Sequence, residues 1–159
     1  TTMSTIKVNN LTSLTDGPVL RPDHPMFMAK GNDSQSADIN GVVVSYDTAV
    51  FDRGSNYSTS SSKFTAPIAG IYEFHATVMF TSSNLTSYGY CFLDFRINGT
   101  RRGQEVMMPR PSGASFASAQ ITDMINLSAN DEVDVMCIVA NTTLTIRGDF
   151  RQFYGRLIG

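Results

Sequence analysis

The fold of this chain is decided by one stretch, Lys63-Phe64-Thr65-Ala66-Pro67-Ile68-Ala69-Gly70-Ile71-Tyr72-Glu73-Phe74-His75-Ala76-Thr77-Val78-Met79-Phe80. From Tyr72 to Phe80 every second residue is apolar, and mostly polar residues lie between them. A period of two predicts an extended strand with one buried face. Pro67 removes a backbone donor and Gly70 permits a tight bend, so we expect a short strand, a turn and then the long central strand.

The composition predicts one globular domain. The chain has 159 residues, of which 42% are hydrophobic and only 16% charged, which is the opposite of the balance that produces disorder. The net charge of -2 gives no reason to expect a nucleic-acid partner. No apolar run approaches the roughly 18 residues of a membrane span, so we expect no membrane insertion.

Residues 1–25 differ from the rest of the chain. Turn residues dominate them, and they contain no alternating apolar run. We therefore predict an extended N-terminal arm that serves for attachment, followed by the domain proper at 26–159. No secretory leader is recognised. Seven Asn-X-Ser/Thr sequons occur, and we interpret them as chance in a chain rich in Asn, Ser and Thr.

Further strands are predicted where apolar residues alternate or β-branched residues cluster between turn residues. The predicted runs are 26–29, 42–46, 48–51, 88–97, 104–108, 114–127, 133–139 and 150–158. Residues 31–41, 58–62, 81–87 and 109–113 are predicted loops, and Asn98-Gly99 predicts a two-residue hairpin turn. About ten short strands without helical periodicity predict an all-β sandwich or jelly roll.

One residue conflicts with this pattern. Asp123 falls in the same phase as Ile121 and Ile125, which places a carboxylate on the buried face of its strand. An isolated buried carboxylate is costly. Either a β-bulge shifts the phase or Asp123 has a partner, and we favour the bulge.

The sequence offers no constellation for catalysis. A nucleophilic hydrolase needs a histidine beside a nucleophile and a carboxylate. Only two histidines occur: His24 lies between prolines, and His75 is on the non-core face of the central strand. Cys91 and Cys137 fall in the core phase of their strands, so we interpret them as small buried hydrophobic residues. The prediction is a protein without enzymatic activity or cofactor.

The charged clusters also have simpler explanations than a ligand site. Asp131, Glu132 and Asp134 match no calcium-binding spacing, and Asp131 is explained as a turn residue. Arg101 and Arg102 are predicted to be a solvated pair on a hairpin. We therefore predict neither a metal site nor a nucleic-acid patch.

Four separate motifs, in order, resemble the globular domain of the C1q/TNF superfamily. The first is the opening stretch preceded by Phe51-Asp52 and Tyr57, and the second is Phe95-Arg96-Ile97-Asn98-Gly99. The third is Leu127-Ser128-Ala129-Asn130-Asp131-Glu132-Val133, where Asn130 replaces the glycine of the family, and the fourth is Phe153-Tyr154-Gly155-Arg156-Leu157-Ile158. Residues that match the family's core motif are Phe64, Pro67, Gly70, Tyr72, Phe74, Phe153, Gly155 and Leu157.

The resemblance implies a ten-strand jelly roll that forms a homotrimer, with the sheet of the first, central and last strands against the threefold axis. The residues expected at that interface are Ile71, Glu73, His75, Met79, Tyr154 and Arg156. Charges there need partners once water is excluded, so we expect Arg156 to pair with Glu73. The resemblance also makes the strands of Cys91 and Cys137 neighbours, which leaves a disulfide open.

For function, the resemblance implies a binding module. The arm resembles leaders of bacteriophage structural proteins, and no collagen repeat is present. We therefore interpret the chain as a trimeric phage virion surface protein (capsid decoration, head fibre or tail-fibre knob). Residues 1–25 would attach it to a capsid or tail protein, and its loops would bind the host or a host glycan. The alternative is a secreted, extracellular C1q/TNF-like ligand or recognition module; a carbohydrate-active jelly-roll enzyme is a distant third.

Overall fold

The computed structural model describes residues 24–81, 90–103, 106–107 and 116–158, without the side chains of 106–107. These residues form strands β1 Met26–Lys30, β2 Gln35–Ala37, β3 Val42–Val43, β4 Thr48–Arg53, β5 Tyr57–Ser58, β6 Lys63–Thr65, β7 Gly70–Thr81, β8 Cys91–Ile97, β9 Thr100–Arg101, β10 Val106–Met107, β11 Phe116–Leu127, β12 Glu132–Val139, β13 Leu144–Ile146 and β14 Gln152–Leu157. The predicted arm up to residue 23 and the predicted loops 82–87 and 109–113 lie outside the described residues.

The strands form two antiparallel sheets. In the first sheet the order is β2-β13-β7-β14-β1-β4, and β11 pairs along the other edge of β7. In the second the order is β10-β8-β12-β6-β5, with β3 on β12 and β9 on β8. The stretch 63–80 therefore contains the short strand β6, a turn and most of the long central strand β7, as predicted, and the all-β prediction is confirmed.

The two sheets enclose a core built around aromatic rings. The alternating residues Tyr72, Phe74, Ala76, Val78 and Phe80 of β7 are all buried, as the period of two predicts. Phe27 packs edge-on against Phe153 with ring centroids 4.8 Å apart, and Phe74 lies 6.0 Å from Phe153. Such tilted and edge-to-face arrangements suit the charge distribution of aromatic rings.

Gly155 occupies a position where the core leaves no room for a side chain. A Cβ atom on Gly155 would lie 2.4 Å from Cδ1 of Phe74 and 3.0 Å from Cε1 of Phe27. The glycine of the closing motif thus lets the β14 backbone approach the ring of Phe74 closely.

The predicted hairpin turn at Asn98-Gly99 is confirmed. Ile97 pairs with Thr100, so the loop has two residues, and both have positive φ, 52° at Asn98 and 79° at Gly99. Asn and Gly are the residues that tolerate this conformation, which matches the twist of the flanking strands.

The bulge expected at Asp123 does not exist. Strand β11 pairs with β7 in unbroken register from Phe116 opposite Thr81 to Leu127 opposite Gly70. Asp123 has a partner instead: its Oδ2 atom lies 3.1 Å from Nη2 of Arg102, although without hydrogen-bond alignment. The free-energy cost of pointing the Asp123 carboxylate inwards is thus reduced by the nearby guanidinium of Arg102, and the alternation of β11 is not shifted.

The prediction that Arg101 and Arg102 are a solvated pair is therefore wrong. Arg102 reaches Asp123, and Nε of Arg101 donates to Oδ2 of the buried Asp94 at 3.2 Å. The tight turn folds both arginines back over strands that carry carboxylates, which a linear count of charges does not reveal.

Four short strands were missed, among them the two-residue strands β5 and β9. Strand β2 lies within the predicted loop 31–41, and β13 lies where the prediction had only a turn before the closing strand. The closing strand begins at Gln152, not at 150, because Arg151 leaves the ladder and is buried. Its Nη2 donates to the carbonyl of Asp33 at 2.7 Å, and burial lowers the pKa of Arg151. Three-residue strands are too short for alternation to be visible.

Candidate functional site: the outer face of the first sheet

The first sheet has an outer face, defined as the side of β11, β7, β14, β1 and β4 that points away from the core. On β7, the residues that alternate with the buried ones point to this face. On β14, the residues next in sequence to the buried Phe153 and Gly155 do so. The structure places all six residues predicted for the interface on this one face: Ile71, Glu73, His75, Met79, Tyr154 and Arg156.

The expected pair between Arg156 and Glu73 forms within one chain. The two residues are opposite each other on β14 and β7, and both Nε and Nη2 of Arg156 lie 2.9 Å from Oε2 of Glu73. Both side chains remain partly exposed in the single subunit. An ion pair in that setting contributes at most about 1 kcal/mol to stability.

His75 lies in the middle of the outer face. It is opposite Tyr154 on one side and Thr122 on the other. Its ring stacks on Tyr154 with centroids 4.8 Å apart, and its Nδ1 is 2.7 Å from Oγ1 of Thr122. Burial lowers the pKa of His75, and the nearby charge of Glu73 opposes this shift.

A shallow groove of about 490 Å³ runs over Glu73, His75, Tyr154 and Arg156 on the outer face. Its lining includes four of the six predicted interface residues, and also Met26, Met28, Phe51 and Thr122, which were not predicted for this face. The exposed Met124 lies opposite Glu73 on β11 and extends the same face. Thr122 and Met124 could have been found, because the core phase of β11 leaves them pointing outwards.

The outer face of the second sheet has a different character. Arg96 and Asp134 form a two-pronged pair at 2.6 and 2.8 Å, which raises the pKa of Arg96. Lys63 and Glu132 pair at 2.6 Å on the same side. The acidic cluster of residues 131–134 is therefore divided among separate partners, and no group of three or more possible metal-ligating side chains occurs in the described part of the chain.

Two of the recognised motifs meet through hydrogen bonds at one end of the second sheet. Asn98 Nδ2 donates to Asp131 Oδ1 at 2.8 Å, and the backbone N–H of Glu132 donates to Asn98 Oδ1 at 2.9 Å. The N–H of Ser128 donates to the other oxygen of Asp131 at 2.8 Å. These bonds lower the pKa of Asp131, first through Asn98 and then through Ser128. Asn130 replaces the family's glycine at φ 71°, a conformation that asparagine tolerates.

Replacing Asn98 by glycine should raise the pKa of Asp131. Glycine keeps the positive φ but removes the largest contribution to the shift. Because the native pKa is depressed, this carboxylate stabilises the fold above its unfolded pKa, and that stability is lost as pH falls through the native value. In Asn98→Gly we expect this loss on acidification to shrink. Titration of the Asp131 carboxyl by NMR measures it, and an unchanged pKa would contradict the assignment.

The two cysteines are free and buried. Cys91 lies opposite Val139 and Cys137 opposite Leu93, so the thiols are diagonal neighbours on β8 and β12. A hydrogen bond with Cys91, followed by burial, raises the pKa of the Cys137 thiol well above its usual value. The structure thus shows two thiols and no bond between them, in agreement with their interpretation as core residues.

The end of the predicted arm is tied to the last strand. Nε2 of His24 donates to the carbonyl of Leu157 at 2.6 Å, and the N–H of Leu157 donates to the carbonyl of Pro25 at 3.0 Å. His24 therefore has a structural contact at the C-terminal end of β14.

Comparison with known families finds a C1q domain over residues 26–158. The chain belongs to the C1q domain family. No curated protein matches it in sequence. Among the described residues, no helix is long and apolar enough to span a membrane.

Solved structures similar to this C1q domain share its fold at low sequence identity. The globular domain of zebrafish complement 1qA has a TM-score of 0.59 and 15% identity, with 85% of this chain and 98% of that chain covered. Murine APRIL at pH 8.5 has a TM-score of 0.59 and 17% identity, with 84% and 99% covered. The jelly-roll prediction and the C1q/TNF resemblance are confirmed. At this identity the likeness concerns the fold alone.

Proposed function

We propose that this C1q domain is a non-enzymatic recognition module that assembles as a homotrimer through the outer face of the first sheet. Family membership and the fold shared with a complement domain and with APRIL support a recognition or ligand-like role. The observation that carries the proposal is the contrast between the outer faces of the two sheets.

Large apolar side chains are concentrated on the first of these faces. Met124 is 64% exposed, Ile71 44%, Phe51 43% and Tyr154 38%. Contiguous exposed apolar surface of this kind marks an interaction site. On the outer face of the second sheet, charged side chains occupy such positions and already have partners within the chain.

A second copy of this chain is the occupant that fits the face best. The central ion pair of Glu73 and Arg156 is neutral overall and lies beside apolar side chains. At the centre of the face, two copies can therefore approach without a net charge repelling them, and the apolar residues around the pair lose water on contact. A threefold arrangement joins one region of this face to a different region of the next copy and closes as a ring.

The trimer would present three identical sets of loops to a partner. Weak single contacts then add up, because linked sites bind with a high effective concentration. Glycans on a cell surface offer such repeated sites, and they are the ligand class we propose. An extracellular location is the setting that fits a recognition module of this family.

The narrower hypothesis of a phage virion protein rests on the sequence of residues 1–25. The comparisons supply no support for it, and they favour the alternative of a ligand or recognition module. The capsid or tail partner predicted for the arm belongs to that narrower hypothesis.

Light scattering after size exclusion tests the proposal. We expect a single species with three times the subunit mass at micromolar concentration, and a single-subunit mass would refute the proposed assembly. Glycan-array binding by the trimer, compared with an assembly-deficient variant on the same array, then tests recognition. Absence of trimer-dependent binding would refute glycan recognition and leave the assembly intact.

A further inference from the structure

His75 lies in a row of side chains that crosses the outer face. The register aligns Phe51, Met28, Tyr154, His75 and Thr122 on five adjacent strands. The imidazole is the only group in this row that changes charge near neutral pH. A partner that covers the row would remove water from the imidazole and surround it with aromatic and thioether groups.

The charges around His75 do not provide a dedicated counterion. Glu73 on β7 already accepts from Arg156 on β14, and Tyr154 on β14 is neutral. At the margins, Lys30 on β1 and Arg53 on β4 are both cationic. The outward residues of β11, from Phe116 to Asn126, are uncharged. A proton on His75 therefore adds a net positive charge to each copy of the face.

We propose that assembly through this face is linked to protonation, with His75 as the group that must be neutral in the trimer. The inference rests on the proposed trimeric assembly and adds its regulation. Acidification would release the subunits, because an uncompensated charge is expensive to bury.

The direction of the pH effect follows from burial. Burial already lowers the pKa of His75 in the single subunit, against the pull of Glu73, and covering the face adds to that burial. A group whose pKa is lower in the assembly destabilises it as pH falls below the free-subunit value. The window thus begins below about pH 6.5, the usual value for histidine.

The expected effect is large because three copies act together. Each histidine that must lose a proton on assembly changes the equilibrium up to about tenfold per pH unit. Three of them change the dissociation constant of the trimer by up to about 1000-fold per pH unit within the window.

Sedimentation equilibrium of the full chain at about pH 8, 6.5 and 5.5 tests the inference. The wild type should dissociate progressively on acidification, whereas His75→Gln should lose most of this dependence. His24→Gln removes the other histidine, which lies off the face, and should retain it. The inference would be overturned if the dissociation constant of the wild-type trimer did not depend on pH, or if His75→Gln kept the same pH dependence as the wild type. Either result would leave the proposed trimeric assembly standing. A single subunit at pH 8 would refute the proposed assembly itself.

A second measurement covers the case in which His75→Gln fails to assemble. The ring protons of His75 in the wild type are titrated by NMR at low and at high protein concentration. We expect a lower pKa at the concentration where the trimer forms. Equal values at both concentrations, with assembly verified at the higher one, would overturn the inference.

Discussion

Arg156→Glu is expected to give a folded subunit that no longer forms trimers. In the single chain the pair with Glu73 is partly exposed, so its loss costs at most about 1 kcal/mol. Once a second copy covers the face, two carboxylates would confront each other without water. Breaking a buried pair by removing one partner costs about 3–5 kcal/mol, and here the cost arises in every subunit. Circular dichroism measures the fold, and light scattering measures the mass.

Two further variants make this result specific. The double variant Glu73→Arg with Arg156→Glu restores opposite charges at the same two positions and should recover part of the assembly. Lys63→Glu breaks a pair of 2.6 Å on the outer face of the second sheet and should leave the trimer intact. If Arg156→Glu trimerises as tightly as the parent, these side chains face solvent in the assembly and the proposed face is wrong.

Gly155→Ala is expected to cause a large loss of stability although it adds only a single methyl group. The added carbon would meet the ring of Phe74 at 2.4 Å, far inside normal contact distance. That ring cannot easily move, because Phe64, Phe95 and Phe153 surround it at centroid distances of 5.5 to 6.0 Å. Overpacking of a tight core lowers the free energy of unfolding by about 1–3 kcal/mol. We expect a loss at the upper end of this range, about 3 kcal/mol, measured by urea denaturation.

Gly99→Ala is the matched control. Gly99 has φ 79° and no atom within 4 Å of a Cβ position, so the same substitution there costs only backbone strain of about 1–2 kcal/mol. If Gly99→Ala lost more unfolding free energy than Gly155→Ala, the ring of Phe74 would have to move aside in the variant. Close packing would then not be the reason for the glycine at position 155.

Alternation along the chain predicted the central strand and its two faces. Once Tyr72 and Phe74 are assigned to the core, Glu73 and His75 must point outwards, and no knowledge of other strands is needed. The prediction that Arg156 lies opposite Glu73 required the register between β7 and β14. That register came from the family resemblance and not from the alternation of residues.

Asp123 shows where alternation fails. The phase of β11 placed it inwards correctly, but its partner Arg102 belongs to a different hairpin. The alternation of apolar residues along one strand does not reveal which cation a neighbouring strand places close to it. A β-bulge at Asp123 was therefore the simpler prediction. For the same reason the groove residues Met28 and Phe51 were missed, since only the lateral order of β4, β1 and β14 joins them to Tyr154.

The position of β14 between β7 and β1 has a consequence for how the polypeptide folds. Strand β1 pairs with the nearby β4 on one edge, but its partner on the other edge is the distant β14, where Gly155 lies opposite Phe27. A nascent chain on the ribosome must therefore wait for residues 152–157 before the first sheet can close, and the edges of β1 and β7 that face β14 are open to wrong partners until then. Long-range pairings of this kind place folding in the range of milliseconds to seconds, well after collapse. Termination of the chain before Gln152 would thus remove a middle strand of the first sheet and prevent folding, and not merely shorten an edge.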